Sequence, residues 1–206
     1  MAFTYFFRDL HTLEIVVRHV VPEVLGRSRI RIWDAGCAMG QEPYSLAMMF
    51  AENMGKFSFG NLHIHATDID EANLFEKIIN AGEYPEDQVK RIPQEVFAKY
   101  FQPGQTPGHF KLVDLIKARV MFQRHDLLSL KPVGGNFSLI LCKNVLLHFP
   151  PAARGAVIKM FHQTLAPGGF FATEQTQKLP REVAHLFQQV AGDARLFRKI
   201  GDPECN

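Results

Sequence analysis

Polar residues suited to holding a ligand recur at the ends of apolar runs in this 206-residue chain. Asp34 and Gly36 follow Ile30, Ile32 and Trp33; Asp68 closes LHIHATD; Asp126 and Leu127 stand where a third crevice loop belongs; Lys143 and Asn144 end NFSLILC. In open α/β sheets ligands bind beyond the carboxyl ends of the strands, so such clusters in series point to one crevice. The loop at Asp34 narrows the chemistry. A dinucleotide loop reads G-x-G-x-x-G and lays pyrophosphate on a helix N-terminus. Here the pattern is D-x-G-x-x-x-G, and Glu42 puts a carboxylate where that pyrophosphate would lie. Two anions there repel each other. A cofactor without phosphate and with cationic parts suits the loop, and S-adenosylmethionine carries an ammonium and a sulfonium. An ordinary strand–helix turn with no ligand has the same glycine pattern.

The elements that must position these residues are readable around them. RIRIWDAGCAMGQEPYSLAMMFAE, residues 29–52, runs from a buried strand through a glycine turn into a helix with Pro43 in its first turn. Gly36 permits the tight turn, and Gly40 is expected to let a ligand approach bare backbone. Residues 2–24 read as one helix on the sheet edge, with Thr4 and Arg8 on its polar side. Residues 62–68 make a second strand and 71–81 a helix closed by Gly82. His63 and His65 alternate onto one strand face; a metal there lacks a third ligand nearby, so they read as part of a plain half-buried strand rather than as metal ligands.

From Glu83 the regular alternation is broken by Pro85, Pro93, Pro103 and Pro107. Residues 83–123 are expected to form an insertion over the sheet, with 109–113 and 118–123 as a hairpin. Then come a strand over 136–142, a helix over 152–165, a strand over 170–173, a helix over 181–190 and a last strand over 194–200. The fold class is α/β, a mostly parallel sheet with helices on both faces.

Composition sets outer limits. Hydrophobic residues at 47% and charged residues at 21% describe an ordinary globular domain. A formal charge of +2 gives no long-range attraction for nucleic acid. Cys37, Cys142 and Cys205 form no paired framework, which favours a reducing, cytoplasmic setting. Cys37 and Cys142 read as small apolar residues of the crevice. No apolar run approaches the ~20 residues of a membrane span.

WDAGCAMGQEPYSLAM, ATDID, LCKNVLLHF, LAPGG and the opening TYFFRD resemble the chemotaxis-receptor glutamate methyltransferases of the CheR type. The resemblance covers nearly the whole chain. It implies a class I S-adenosylmethionine-dependent methyltransferase fold over residues 1–206, with a small inserted β-subdomain, and without the family's N-terminal helical domain. It implies methyl transfer to glutamate side chains on the cytoplasmic helices of chemoreceptors; the charge and the lack of a long apolar run add the expectation of a protein that neither enters the membrane nor binds nucleic acid, and a monomer is expected. S-adenosylmethionine is the implied cofactor and S-adenosylhomocysteine its product.

The family's cofactor contacts fall on Thr4, Arg8, Glu42, Asp68, Asp126, Leu127, Lys143 and Asn144. Asp68 would take the ribose, Glu42 the methionine end, and Asp126 with Leu127 the adenine. Arg8 would lie beside the transferred methyl and the incoming carboxylate. The chain departs from the family at Ala2, Asp126 and Lys143, where the family has asparagine, asparagine and arginine. His148 replaces an active-site tyrosine; it would either donate a hydrogen bond to the substrate or sit as an ordinary histidine at a strand–loop junction with a backbone partner. Two other readings stay open from sequence: a non-catalytic module that holds the cofactor or its demethylated product, and a methyltransferase with a different substrate.

Overall fold

A computed structural model describes residues 4–201. Ala2 and Cys205, singled out above, lie outside the described residues. The expected N-terminal helix begins only at Leu10: α1 spans Leu10–Val24. Residues 4–9 form a turn-rich strap in which Phe7 and Asp9 hold φ of 58° and 55°, a left-handed backbone that ends any helix there. Phe6 anchors the strap by burying its ring.

Strand β1 (Ile30–Ala35) and helix α2 (Gln41–Asn53) follow the sequence reading. α3 (Lys56–Gly60) leads into β2 (Leu62–Asp68). Alternation on β1 sets up two cores. Ile30 and Ile32 join the cluster under α1 and α2, while Trp33 joins the one under the later helix residues Val157, Ile158 and Phe161. A strand covered on both faces has to be apolar on both, which is why these segments read as continuous hydrophobic runs.

α4 (Phe75–Ala81) starts four residues later than expected. The Asp70 carboxylate explains the shift, because it accepts from the N–H groups of Leu74 (2.9 Å) and Phe75 (3.0 Å) and so caps the helix at that point. Next come β3 (Glu83–Pro85), α5 (Glu86–Val89), α6 (Gln94–Tyr100), β4 (Phe101–Pro103), β5 (His109–Leu112), α7 (Asp114–Lys117) and β6 (Val120–Arg124). The hairpin expected between 109–113 and 118–123 does not form. β5 lies between β3 and β4 in a small antiparallel sheet, whereas β6 pairs parallel with β2, Ile64 opposite Val120 and Asp68 opposite Arg124. The small sheet therefore ends near Leu112, and the strand after it belongs to the main sheet.

β7 (Phe137–Leu141), α8 (Pro151–Thr164), β8 (Leu165–Thr173), α9 (Arg181–Ala184), β9 (Phe187–Gln189) and β10 (Arg195–Lys199) complete the chain. Among the described residues the main sheet has seven strands in the order β6-β2-β1-β7-β8-β10-β9. β8 begins at Leu165, five residues before the expected start, and runs through an irregularity opposite Phe137 and Leu139. The helix expected over 181–190 stops at Ala184. β10 has a free edge there, and β9 fills it antiparallel, which lets Phe187 bury its ring beside Phe171 and Phe197.

His65 packs edge-on to Phe137 and lies 3.4 Å from an Arg31 guanidinium nitrogen. Burial, and then Arg31, push its pKa down to about 4, so it is neutral at pH 7 and can accept that contact. Among the described residues no group of three or more metal-binding side chains comes together, and no helix is long and apolar enough to cross a membrane.

Candidate active site

A cavity of about 600 Å³ opens beyond the carboxyl ends of β1, β2, β6 and β7. That volume falls in the range of small-molecule sites, roughly 300–1,000 Å³. Eleven of the residues singled out in the sequence contribute to its wall: Thr4, Arg8, Gly36, Cys37, Glu42, Asp68, Asp126, Leu127, Lys143, Asn144 and His148. The order of the parallel strands brings them together, since β6, β2, β1 and β7 are neighbours and their ends share one rim. The strap over residues 4–9 supplies the roof.

Lys143 organises the interior. Its ammonium donates to Glu42 Oε2 at 3.1 Å and to the Arg8 carbonyl at 3.2 Å, and Asp9 Oδ2 lies 3.6 Å away. One buried lysine thus ties α2, the end of β7 and the strap into a unit. Burial pushes the Glu42 carboxyl up, and the nearby Lys143 and Arg8 charges pull it back toward ionisation. Behind this pair Asp34 is fully buried, and among the described residues nothing donates a hydrogen bond to either of its oxygens.

The other walls carry their own anchors. Asp68 Oδ2 accepts from the Ala38 N–H at 2.9 Å and so fixes the turn that follows β1. Asp126 Oδ1 accepts from the Leu128 N–H at 2.8 Å, which leaves its second oxygen and its exposed edge toward the cavity. Arg8 Nη2 donates to Asn144 Oδ1 at 3.2 Å. Glu174 accepts from the Asn144 N–H at 2.9 Å and holds that residue in place. Glu174 was missed in the sequence, although the acid-after-strand rule that found Asp34 and Asp68 applies to it directly, one residue beyond β8. His148 lies exposed at the mouth in a 3-10 turn, Leu146–His148. Cys37 and Cys142 are buried free thiols, and burial pushes both well above the usual thiol range, so they act as apolar packing.

The two glycines part company. Gly36 has φ 105°, and a β-carbon on it would come within 2.1 Å of Val145 Cγ2. Gly36→Ala is expected to lower stability by about 1–3 kcal/mol in urea unfolding, because it adds both backbone strain and a clash with the loop after β7. Gly40 does not reach the cavity wall. Its bare face meets Ile79 and the Tyr84 hydroxyl, and Tyr84 in turn donates to the Met39 carbonyl at 2.8 Å. The glycine expected to admit a ligand instead lets the small sheet press against the loop.

A ligand for this cavity must be matched by an acid and a base side by side at one end and by acids at the rim. The Glu42–Lys143 pair suits the ammonium and carboxylate of a methionyl group. Solved structures share the fold. A magnesium protoporphyrin IX methyltransferase (ChlM) from Synechocystis PCC 6803 with bound SAM superposes with a TM-score of 0.52 at 17% identity, over 94% of this chain and 80% of that one. The CurJ carbon methyltransferase superposes with a TM-score of 0.55 at 16% identity, over 95% and 57%. The fold is that of the class I S-adenosylmethionine-dependent methyltransferases.

The sequence relatives are more specific. Residues 2–196 match the model of the CheR methyltransferase, SAM binding domain, and the chain belongs to that family. Chemotaxis protein methyltransferase 1 of Pseudomonas aeruginosa is 35% identical over 188 residues, covering 86% of this chain and 67% of that protein. A probable chemotaxis protein methyltransferase of Rhizobium etli is 30% identical, covering 91% of this chain and 72% of that protein.

Proposed function

We propose that the chain transfers a methyl group from S-adenosylmethionine to glutamate carboxylates on the cytoplasmic helices of chemoreceptors, acting in the cytoplasm. The observation that carries this reading is the family match over residues 2–196, joined to relatives named for chemotaxis. In it, Glu42 and Lys143 hold the methionyl end, Asp68 takes the ribose, and Asp126 with Leu127 border the adenine. Thr4 and Asn144 complete the wall, and Arg8 and His148 face the substrate. Bound cofactor supplies an electrophilic methyl on a sulfonium.

The protein's own part is small in chemistry and large in placement. A glutamate carboxylate with a pKa near ~4.3 is ionised at pH 7, so no side chain has to remove a proton. What remains is to strip water from the nucleophile and hold it in line, and positioning of that kind supplies roughly 7–11 kcal/mol. The Arg8 fork, steadied by Asn144, can bind both oxygens of the incoming carboxylate. Incubation with radiolabelled S-adenosylmethionine and receptor-enriched membranes should give base-labile label on the receptors. Arg8→Ala should lower kcat/KM about ten- to hundredfold. Label that resists base, or none on the receptors, would overturn the glutamate assignment.

A further inference from the structure

Asp34 belongs to no part of the mechanism above, yet among the described residues it alone has two buried side-chain oxygens without a partner. It is the penultimate residue of β1, has no accessible surface, and finds no hydrogen-bond donor for either oxygen among the described residues. Ionised carboxylates do not persist in that state: each acquires a partner or keeps its proton. Its surroundings leave little choice. Glu42 on α2, Asp68 at the end of β2, Cys37 in the turn after β1, and Cys142 and Lys143 at the end of β7 are the titratable groups that interact electrostatically with it. The strap adds Asp9 and Arg8 against the Glu42–Lys143 pair. Four carboxylates therefore share two cations, and Lys143 is already taken by Glu42, by Asp9 and by the Arg8 carbonyl. Burial first, then the Glu42 and Asp68 charges, push the Asp34 carboxyl well above the usual carboxylate range despite Lys143.

We propose that Asp34 is the proton-bearing member of this site, holding a proton beneath the cavity floor and releasing it to solvent when a net-positive S-adenosylmethionine binds above it. The step is a single deprotonation: the Asp34 O–H bond breaks, the electron pair stays on the carboxylate, and the buffer takes the proton. The added positive charge replaces the proton as the group that balances the four acids. Asp34 acts here through its charge, since it does not line the cavity itself. The inference rests on the cavity being the S-adenosylmethionine site.

The sign follows from linkage. A site that loses a proton on binding gains affinity as pH rises, by up to ~tenfold per pH unit between the free and bound pKa values. Calorimetric titration of the full chain with S-adenosylmethionine, in phosphate and in Tris at pH 7, should show enthalpies that differ by the buffers' ionisation heats, equivalent to about one proton released per site. Asp34→Asn should bind the cofactor with no such difference and with an affinity flat in pH. Asp34→Ser serves the same comparison if the buried amide prevents folding, which circular dichroism reports. Binding by the wild type with buffer-independent enthalpy, or proton release undiminished in both variants, would overturn the assignment. Absence of cofactor binding altogether would instead sink the reading of the cavity.

Discussion

Lys143→Met will lower the stability of the fold by about 3–5 kcal/mol, the cost of removing one partner from a buried ion pair. The methionine matches the stem of the lysine, so the packing is largely kept and the loss is electrostatic. Lys143 has no accessible side-chain surface, and its ammonium serves Glu42 Oε2, the Arg8 carbonyl and Asp9 together. Without it Glu42 stays buried with its chief counter-charge gone, and the strap loses its tie to β7. The pH dependence gives a second check. Burial already holds the Glu42 carboxyl above its ordinary range in the wild type, and Lys143 is the main influence lowering it. Deleting Lys143 raises that carboxyl further. A raised folded-state pKa contributes stability that is present below the unfolded value and lost as pH rises through the folded one. The deficit of the variant should therefore grow from pH 5 to pH 8 in urea unfolding curves. A deficit below ~1 kcal/mol at pH 8, typical of an exposed pair, would show that Lys143 is not buried as described.

Asp68→Ala will weaken S-adenosylmethionine binding about tenfold to more than a hundredfold, the equivalent of ~1.5–3 kcal/mol for a charge-assisted hydrogen bond. The carboxylate serves both the local backbone, where Oδ1 also accepts from the Asp70 N–H at 3.3 Å, and the cavity. Oδ2 accepts from the Ala38 N–H and so shapes the turn after β1, while the residue also faces the cavity from the end of β2. Asp68→Asn separates the duties, because an amide oxygen can still accept from Ala38 but carries no charge. A loss confined to the alanine variant assigns the effect to the turn; a loss shared by both assigns it to the ligand. Calorimetry that finds unaltered binding in Asp68→Ala would remove the residue from the site.

Much of this was legible from residue type and spacing. The run around Ile32 and Trp33 announced a buried strand because it is apolar at both parities, and the structure buries both faces. Asp34, Asp68, Asp126 and Lys143 were found as strand-end residues by a rule that needs only the order of elements. The same rule, carried one strand further, reaches Glu174. Errors fell where local pattern had two outcomes. HFKLV and ARVMFQ look like partners in a hairpin, but pairing is decided by which sheet edge is open, and β6 found the edge of β2. Residues 181–190 carry helical spacing for one turn, and a vacant edge on β10 took the remainder as strand.

Sequence alone determined the α/β alternation, the crevice at the strand ends and the preference for a cationic, phosphate-free cofactor, because periodicity and charge sign are local properties. Tertiary structure alone decided what each polar group meets. Lys143 binding Glu42, 101 residues away, and Asp34 finding no donor among the described residues follow from burial and distance in three dimensions. The two glycines make the same point: both permit φ near 100°, yet one packs on Val145 beside the cavity and the other on Tyr84 away from it. Backbone freedom is written in the residue, but its use depends on the neighbour that folding brings against it.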